Sequence, residues 1–156
     1  VYILFIIYIF GFVMRCLEIL LVEDNEGDIY LIQEAMEGLS VPVKLAIKKD
    51  GQQAMDYLLE SVEREPKSLP DLILLDINLP KRNGHEVLQF IKQNDKLRHL
   101  PVIMLTTSSS PEDVLTAYQH YASSYVTKSN QEQDLSGVMA LLEDFWVNLA
   151  KLPSRR

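Results

Sequence analysis

The stretch DLILLDINLPKRNG, residues 71–84, decides the fold. Four apolar residues, Leu72, Ile73, Leu74 and Leu75, stand between two aspartates. The run is too short for a helix and apolar at successive positions, the pattern of a strand buried on both faces of a parallel sheet. Pro80 and the Asn83-Gly84 pair then turn the chain, so Asp76 sits where a strand ends and a loop begins.

Outward from this stretch the pattern repeats. Apolar runs at residues 17–22, 43–48, 101–105 and 123–127 join residues 71–75 as expected strands of the same doubly buried kind. Amphipathic stretches lie between them. Ile29, Ile32, Met36 and Leu39 recur at helical spacing, as do Val87, Phe90 and Ile91, and Val114, Tyr118 and Tyr121. In the last helix Leu135, Val138, Met139, Leu142, Phe145, Trp146 and Leu149 form one stripe. Ser110, Pro111 and Asp113 read as an N-cap serine, a first-turn proline and an acid in the third position. Glu65-Pro66 closes the second helix. Five strand–helix repeats predict an α/β fold, a doubly wound five-stranded parallel sheet with right-handed crossovers and helices on both faces.

The 156 residues carry a formal charge of −7, which argues against a broad footprint for nucleic acid or an anionic membrane. One cysteine, Cys16, excludes an intrachain disulfide and is expected to be structural. Residues 1–14, VYILFIIYIFGFVM, are uncharged, but as a helix they would span roughly 21 Å, short of a hydrocarbon core of about 30 Å. They lack the basic region and cleavage site of a secretory signal. Residues 1–13 are therefore expected to be an apolar extension upstream of a start at Met14, rather than a membrane anchor, with the domain over residues 14–156 and a cytoplasmic location.

In such a sheet, ligands bind outside the carboxyl ends of the strands. Glu23, Asp24 and Asn25 follow the first strand, Asp76 and Asn78 the third, Thr106 and Thr107 end the fourth, and Lys128 follows the fifth. Carboxylates, a hydroxyl and an amine thus converge on one edge. Each has a plain alternative: Asp76 as a turn cap, Glu23 and Asp24 as a solvated acidic loop, Thr106 as a β-branched strand end, Lys128 as a surface ion pair, and Tyr125 as a half-buried strand tyrosine. His85, His99 and His120 lack metal-ligand spacing and are expected to be solvated or at helix ends.

The segments LLVEDN (20–25), LLDINLPKRNG (74–84), VIMLTTS (102–108) and YVTK (125–128) resemble, in order, the receiver domain of response regulators over residues 17–149. The resemblance implies strand order 2-1-3-4-5, a flavodoxin-like arrangement. It implies Asp76 as phosphoacceptor and Mg²⁺ held by Asp24 and Asp76, the Asn78 carbonyl and, through water, Glu23. It also implies Thr106 and Lys128 on the phosphoryl oxygens, and Thr106 with Tyr125 as a switch. Phosphorylation by a histidine kinase would then reshape the face of the fourth helix, fifth strand and fifth helix for a downstream protein partner. The tail, Glu143–Trp146 and then Lys151, Leu152 and Pro153, resembles regulators that partner bacterial phytochromes, and Trp146 could extend a homodimer contact. The family usually has proline after the lysine. Here Ser129 follows, so a trans bond and a differently shaped loop are expected. The chain ends soon after the receiver pattern, so output is expected through a partner or phosphorelay. Two other readings are a receiver-like adaptor that is never phosphorylated and an aspartate-nucleophile phosphohydrolase. The latter typically has a second acid where Asn78 stands.

Overall fold

Apolar residues at successive strand positions can be buried only if both faces of the sheet are covered, and the chain achieves this by alternating strands and helices. The computed structural model describes residues 16–64, 68–128 and 132–153. Its elements are β1 (Leu17–Val22), α1 (Glu26–Glu37), β2 (Val43–Lys48), α2 (Gly51–Arg64), β3 (Leu72–Leu75), α3 (Gly84–Gln93), β4 (Val102–Thr106), α4 (Pro111–Gln119), β5 (Ser124–Thr127) and α5 (Glu132–Glu143), which runs on as a π-helix over Asp144–Leu149. The strands form one parallel sheet in the order β2-β1-β3-β4-β5. The extension at residues 1–13, the start at Met14, the Glu65-Pro66 helix end and the peptide between Lys128 and Ser129 lie outside the described residues.

Side chains of a strand alternate between faces, and the core divides accordingly. Leu20, Val22, Ile73, Leu75 and Met104 pack against Ala54 and Leu58 of α2, Val87, Leu88 and Ile91 of α3 and Ala117 of α4. Ile19, Leu21, Leu74, Ile103 and Leu105 pack against Ile29, Ile32 and Met36 of α1 and Leu135 and Met139 of α5. Full burial of one such leucine stabilises by about 1.5–3 kcal/mol relative to exposure.

Four expectations need correcting. Only the inner strands are buried throughout or nearly so; β2 and β5 are half-buried, because an edge strand has a neighbour on one side only. The supposed stripe of α4 fails: Ala117 is its buried residue, Tyr118 is half-exposed, and Tyr121 lies beyond the helix, exposed, at φ 64°. The stripe of the last helix also divides. Leu135 and Met139 are buried and Trp146 packs on the core, but the wider π turn carries Phe145 and Leu149 into solvent, where they are 49% and 75% exposed. Cys16, expected to be structural, precedes β1 and is exposed.

Candidate functional site

Backbone bonds just past the strand ends aim the site's side chains. The Glu23 N–H donates to the Lys48 carbonyl (3.0 Å), the Asp76 N–H to the Val22 carbonyl (3.0 Å) and the Lys128 N–H to the Thr106 carbonyl (2.7 Å). The pairing of Leu75 with Met104 puts Thr106 just past the level of Asp76 on the adjacent strand. Two helix starts close around these ends. Asn25 caps α1, its side chain accepting from the Asp28 N–H (3.0 Å) while its own N–H donates to Glu23 Oε1 (2.9 Å). Asn83 and Glu86 form a reciprocal capping box on α3. A Cβ on Gly84 would lie 2.1 Å from the Asp76 carbonyl oxygen, so the first turn of α3 rests directly on the Asp76 backbone and only glycine fits there.

The sequence-predicted carboxylates converge. Glu23, Asp24 and Asp76 each offer an oxygen within 4.8 Å of the others; Glu23 and Asp76 are buried and Asp24 is exposed. An all-oxygen set with one exposed member suits a hard divalent cation that keeps part of its water shell. Asn78 is exposed, and its N–H donates to Asp76 Oδ1 (3.3 Å). The Lys128 ammonium reaches into the cluster. It is hydrogen-bonded to Glu23 Oε2, to Asp28 Oδ2 (2.9 Å) and to Asp76 Oδ2 (3.2 Å). Its side chain is 3% exposed, so the surface-lysine alternative does not hold.

Charge and burial oppose one another here. Burial pushes the Glu23 carboxyl up to about 7, against the Lys128 hydrogen bond and the Asn25 N–H, which favour its ionised form. For Lys128, burial alone would lower the ammonium's pKa. Hydrogen bonds to Glu23 and Asp28 and the charges of Asp76 and Glu23 outweigh it and hold the group above its usual range. The site thus contains one firmly charged cation among several carboxylates.

Thr106 is fully buried, and its Oγ1 accepts from the Ser108 N–H (3.3 Å). Tyr125 is half-buried against the core, and its hydroxyl donates to the Ser108 carbonyl (2.9 Å). His85 is not simply solvated: its Nε2 meets Asp113 Oδ1 at 3.1 Å, and its side chain is 17% exposed. His120 ends α4, as a helix-end role requires. Sequence reasoning missed Asp28, Ser108, Asp113 and the pairing of His85. Asp28 had a signal, since it lies one helical turn beyond Asp24 behind the capping residue Asn25. The others are joined by tertiary contacts that no spacing announces.

Residues 19–140 match the family model described as the response regulator receiver domain. The response regulator Rcp1 of Synechocystis sp. is 43% identical over 136 residues, which is 87% of this chain and 92% of that protein. Its Mn²⁺-bound crystal structure superposes with a TM-score of 0.80 at 42% identity, covering 88% of this chain and 99% of that one. The phosphorylated cyanobacterial phytochrome response regulator RcpA superposes with a TM-score of 0.83 at 41% identity, covering 90% of this chain and 100% of that one. With the family match over most of its length and a relative 43% identical across 87% of it, the chain belongs to the response regulator receiver domain family.

Proposed function

We propose that Asp76 accepts a phosphoryl group from a phosphohistidine of a histidine kinase. A carboxylate oxygen of Asp76 bonds to phosphorus as the P–N bond breaks, and the electron pair leaves on the imidazole, which takes up a proton. One observation carries this reading: the buried Lys128 ammonium bridges Asp76, Glu23 and Asp28. A fixed cation beside a nucleophilic carboxylate stabilises charge on a transferring phosphoryl group without moving. Thr106, buried at the end of β4, is the hydroxyl donor to another phosphoryl oxygen. Asp24, Asp76 and the Asn78 carbonyl would hold Mg²⁺, with Glu23 acting through water. The metal would neutralise phosphoryl oxygens and relieve repulsion among the carboxylates.

The likeness to RcpA and Rcp1 supports a phytochrome-type kinase as donor. Signalling passes to a protein partner when Thr106 and Tyr125 shift and the face of α4, β5 and α5 changes. Exposed Leu115, Tyr118, Phe145 and Leu149 support a homodimer contact on that side. No described helix is long and apolar enough to cross a membrane.

Incubation with acetyl phosphate and Mg²⁺, followed by intact-mass measurement, tests the reading. One added phosphoryl group that fails to form when Mg²⁺ is chelated before the phosphodonor is added supports it. No adduct on the wild-type chain with Mg²⁺ present overturns it.

A further inference from the structure

Ser108 is a junction. Its N–H donates to Thr106 Oγ1 (3.3 Å), its carbonyl accepts from the Tyr125 hydroxyl (2.9 Å), and its own hydroxyl donates to Asp113 Oδ2 (2.5 Å). Asp113, in the first turn of α4, gives its other oxygen to His85 Nε2 at 3.1 Å. Hydrogen bonds from Ser108 and His85 hold the Asp113 carboxyl below the usual range, so it is ionised and accepts only. His85 Nε2 must therefore carry the proton and donate. His85 Nδ1 is buried and makes no hydrogen bond to a described residue, so Asp113 is the ring's one polar anchor among them. Gly84, the residue before His85, packs on the Asp76 carbonyl oxygen, and its N–H donates to the Ile77 carbonyl at 2.8 Å. The contacts run without a gap from the backbone of Asp76 through α3 to the loop that carries Thr106 and Tyr125's acceptor.

We propose that His85 is a positioning residue that latches the loop at residues 106–110 in its resting arrangement, through Asp113 and Ser108. The proposal rests on Asp76 as phosphoacceptor and Thr106 as the residue that follows the phosphoryl group. While the latch is made, Thr106 Oγ1 is engaged by the Ser108 N–H and Ser108 is tied to α3 and α4, so movement of Thr106 requires these bonds to lengthen or break. A latch present only in the resting arrangement lowers the population of the phosphorylation-competent one, and the apparent rate falls by that fraction. Asp113 and His85 are the charged or titratable pair in this link, and neither belongs to the carboxylate cluster that would hold metal.

His85→Leu fills much of the ring's space and removes the donor. The expected result is phosphorylation by acetyl phosphate at saturating Mg²⁺ roughly fivefold faster than wild type. His85→Gln, whose amide N–H can reach the same acceptor, returns the rate toward wild type, which a purely steric role for the ring would not produce. Ser108→Ala breaks the same link from the other end without altering His85. Its expected acceleration is similar, and the double variant adds little to either single one, because residues in one chain of contacts act as a unit. Thermal melts of all variants confirm that folded protein is compared. An unchanged or slower rate in His85→Leu with the fold intact overturns the latch, as do independent, multiplying effects of His85→Leu and Ser108→Ala. If His85→Leu is misfolded, the Ser108→Ala rate alone decides in the same way. A wild-type chain that takes up no phosphoryl group at all overturns instead the assignment of Asp76, and the two failures are distinct.

Discussion

In the middle of the sheet, Leu72–Leu75 of β3 and the first four residues of β4 are apolar and at most 2% exposed. One residue further along the same strands, Asp76 is 6% exposed and Thr106 is 0% exposed, with Glu23 and Lys128 buried beside them. The two regions are equally dry and differ only in chemistry. Burial of apolar surface stabilises in proportion to area, whereas burial of ions costs several kcal/mol each and is repaid in part by pairing. The middle therefore holds the fold together, and the edge is kept for what its charges can do.

The sharpest way to break this division is Asp76→Asn. It removes the nucleophile and one of several crowded carboxylates, so the phosphoryl adduct from acetyl phosphate should vanish while the melting temperature stays level or rises. Intact mass and a thermal melt of one sample check both halves. An undiminished adduct would show that another carboxylate is the acceptor.

Leu74→Ala is the opposite experiment. Leu74 is fully buried and, although two residues before Asp76, packs in the core against α1 and α5 and bonds to none of the site's side chains. The cavity and lost transfer energy should cost about 3–5 kcal/mol in a denaturant titration. The molecules that remain folded should still take up a phosphoryl group at the wild-type rate.

Lys128→Met tests the boundary between the regions. It leaves Glu23, Asp28 and Asp76 without their shared cation, and removal of one partner from a buried ionic cluster costs about 3 kcal/mol. Since Glu23 can take up a proton near pH 7, part of that cost is relieved in acid. Added Mg²⁺ should restore part of the stability at neutral pH, without restoring phosphorylation. Equal loss with and without Mg²⁺ would separate the metal from this cluster.

The same division explains what could be read in advance. LILL between two aspartates declares a strand whatever surrounds it, since a run apolar at every position has few other folds open to it. The ends of such strands in this topology must face one edge, so Asp76, Thr106 and Lys128 were legible from chain order together with their motifs. Exposure at the edges was not legible in the runs themselves. Val43–Lys48 taken alone does not announce that β2 has one neighbour, although the order 2-1-3-4-5 implied by the resemblance does, and Tyr118 and Tyr121 look like a helix stripe although Tyr118 faces solvent within α4 and Tyr121 lies in a left-handed turn beyond it. Nor was the Ser108–Asp113–His85 link, which joins residues 28 positions apart between α3 and α4.

A smaller effect is expected in acid. The folded pKa of Asp113 is lowered, chiefly by the Ser108 hydroxyl and then by His85. A depressed carboxylate adds stability above its unfolded pKa, and the contribution disappears as pH falls through the folded value. Asp113→Asn should therefore be less stable than wild type at neutral pH, with the gap closing only below the ordinary aspartate range. Denaturant midpoints across that range measure it, and a gap independent of pH would show that the carboxylate's charge is not what the link uses.

The smallest effect on the single chain belongs to the end of the last helix. Leu149 is 75% exposed and Phe145 is half-exposed, touching Trp146 edge to face at 5.0 Å. A side chain that already meets water loses little when made polar, so Leu149→Gln should change the stability of a dilute sample by less than about 0.5 kcal/mol. Its effect should appear instead at protein concentrations on the order of tens of micromolar, where a homodimer gains stability by mass action. A two-fold contact presents the same patch on both copies, so one substitution is felt twice across the interface. Light scattering should then give a two-chain mass for wild type and a one-chain mass for Leu149→Gln with Phe145→Gln. A one-chain mass for wild type, with and without phosphorylation, would remove the dimer and leave these residues as a surface for a different protein. A large loss of stability in the dilute sample would mean instead that this end is covered within the chain, and that the contrast between a dry middle and a wet helix end is drawn in the wrong place.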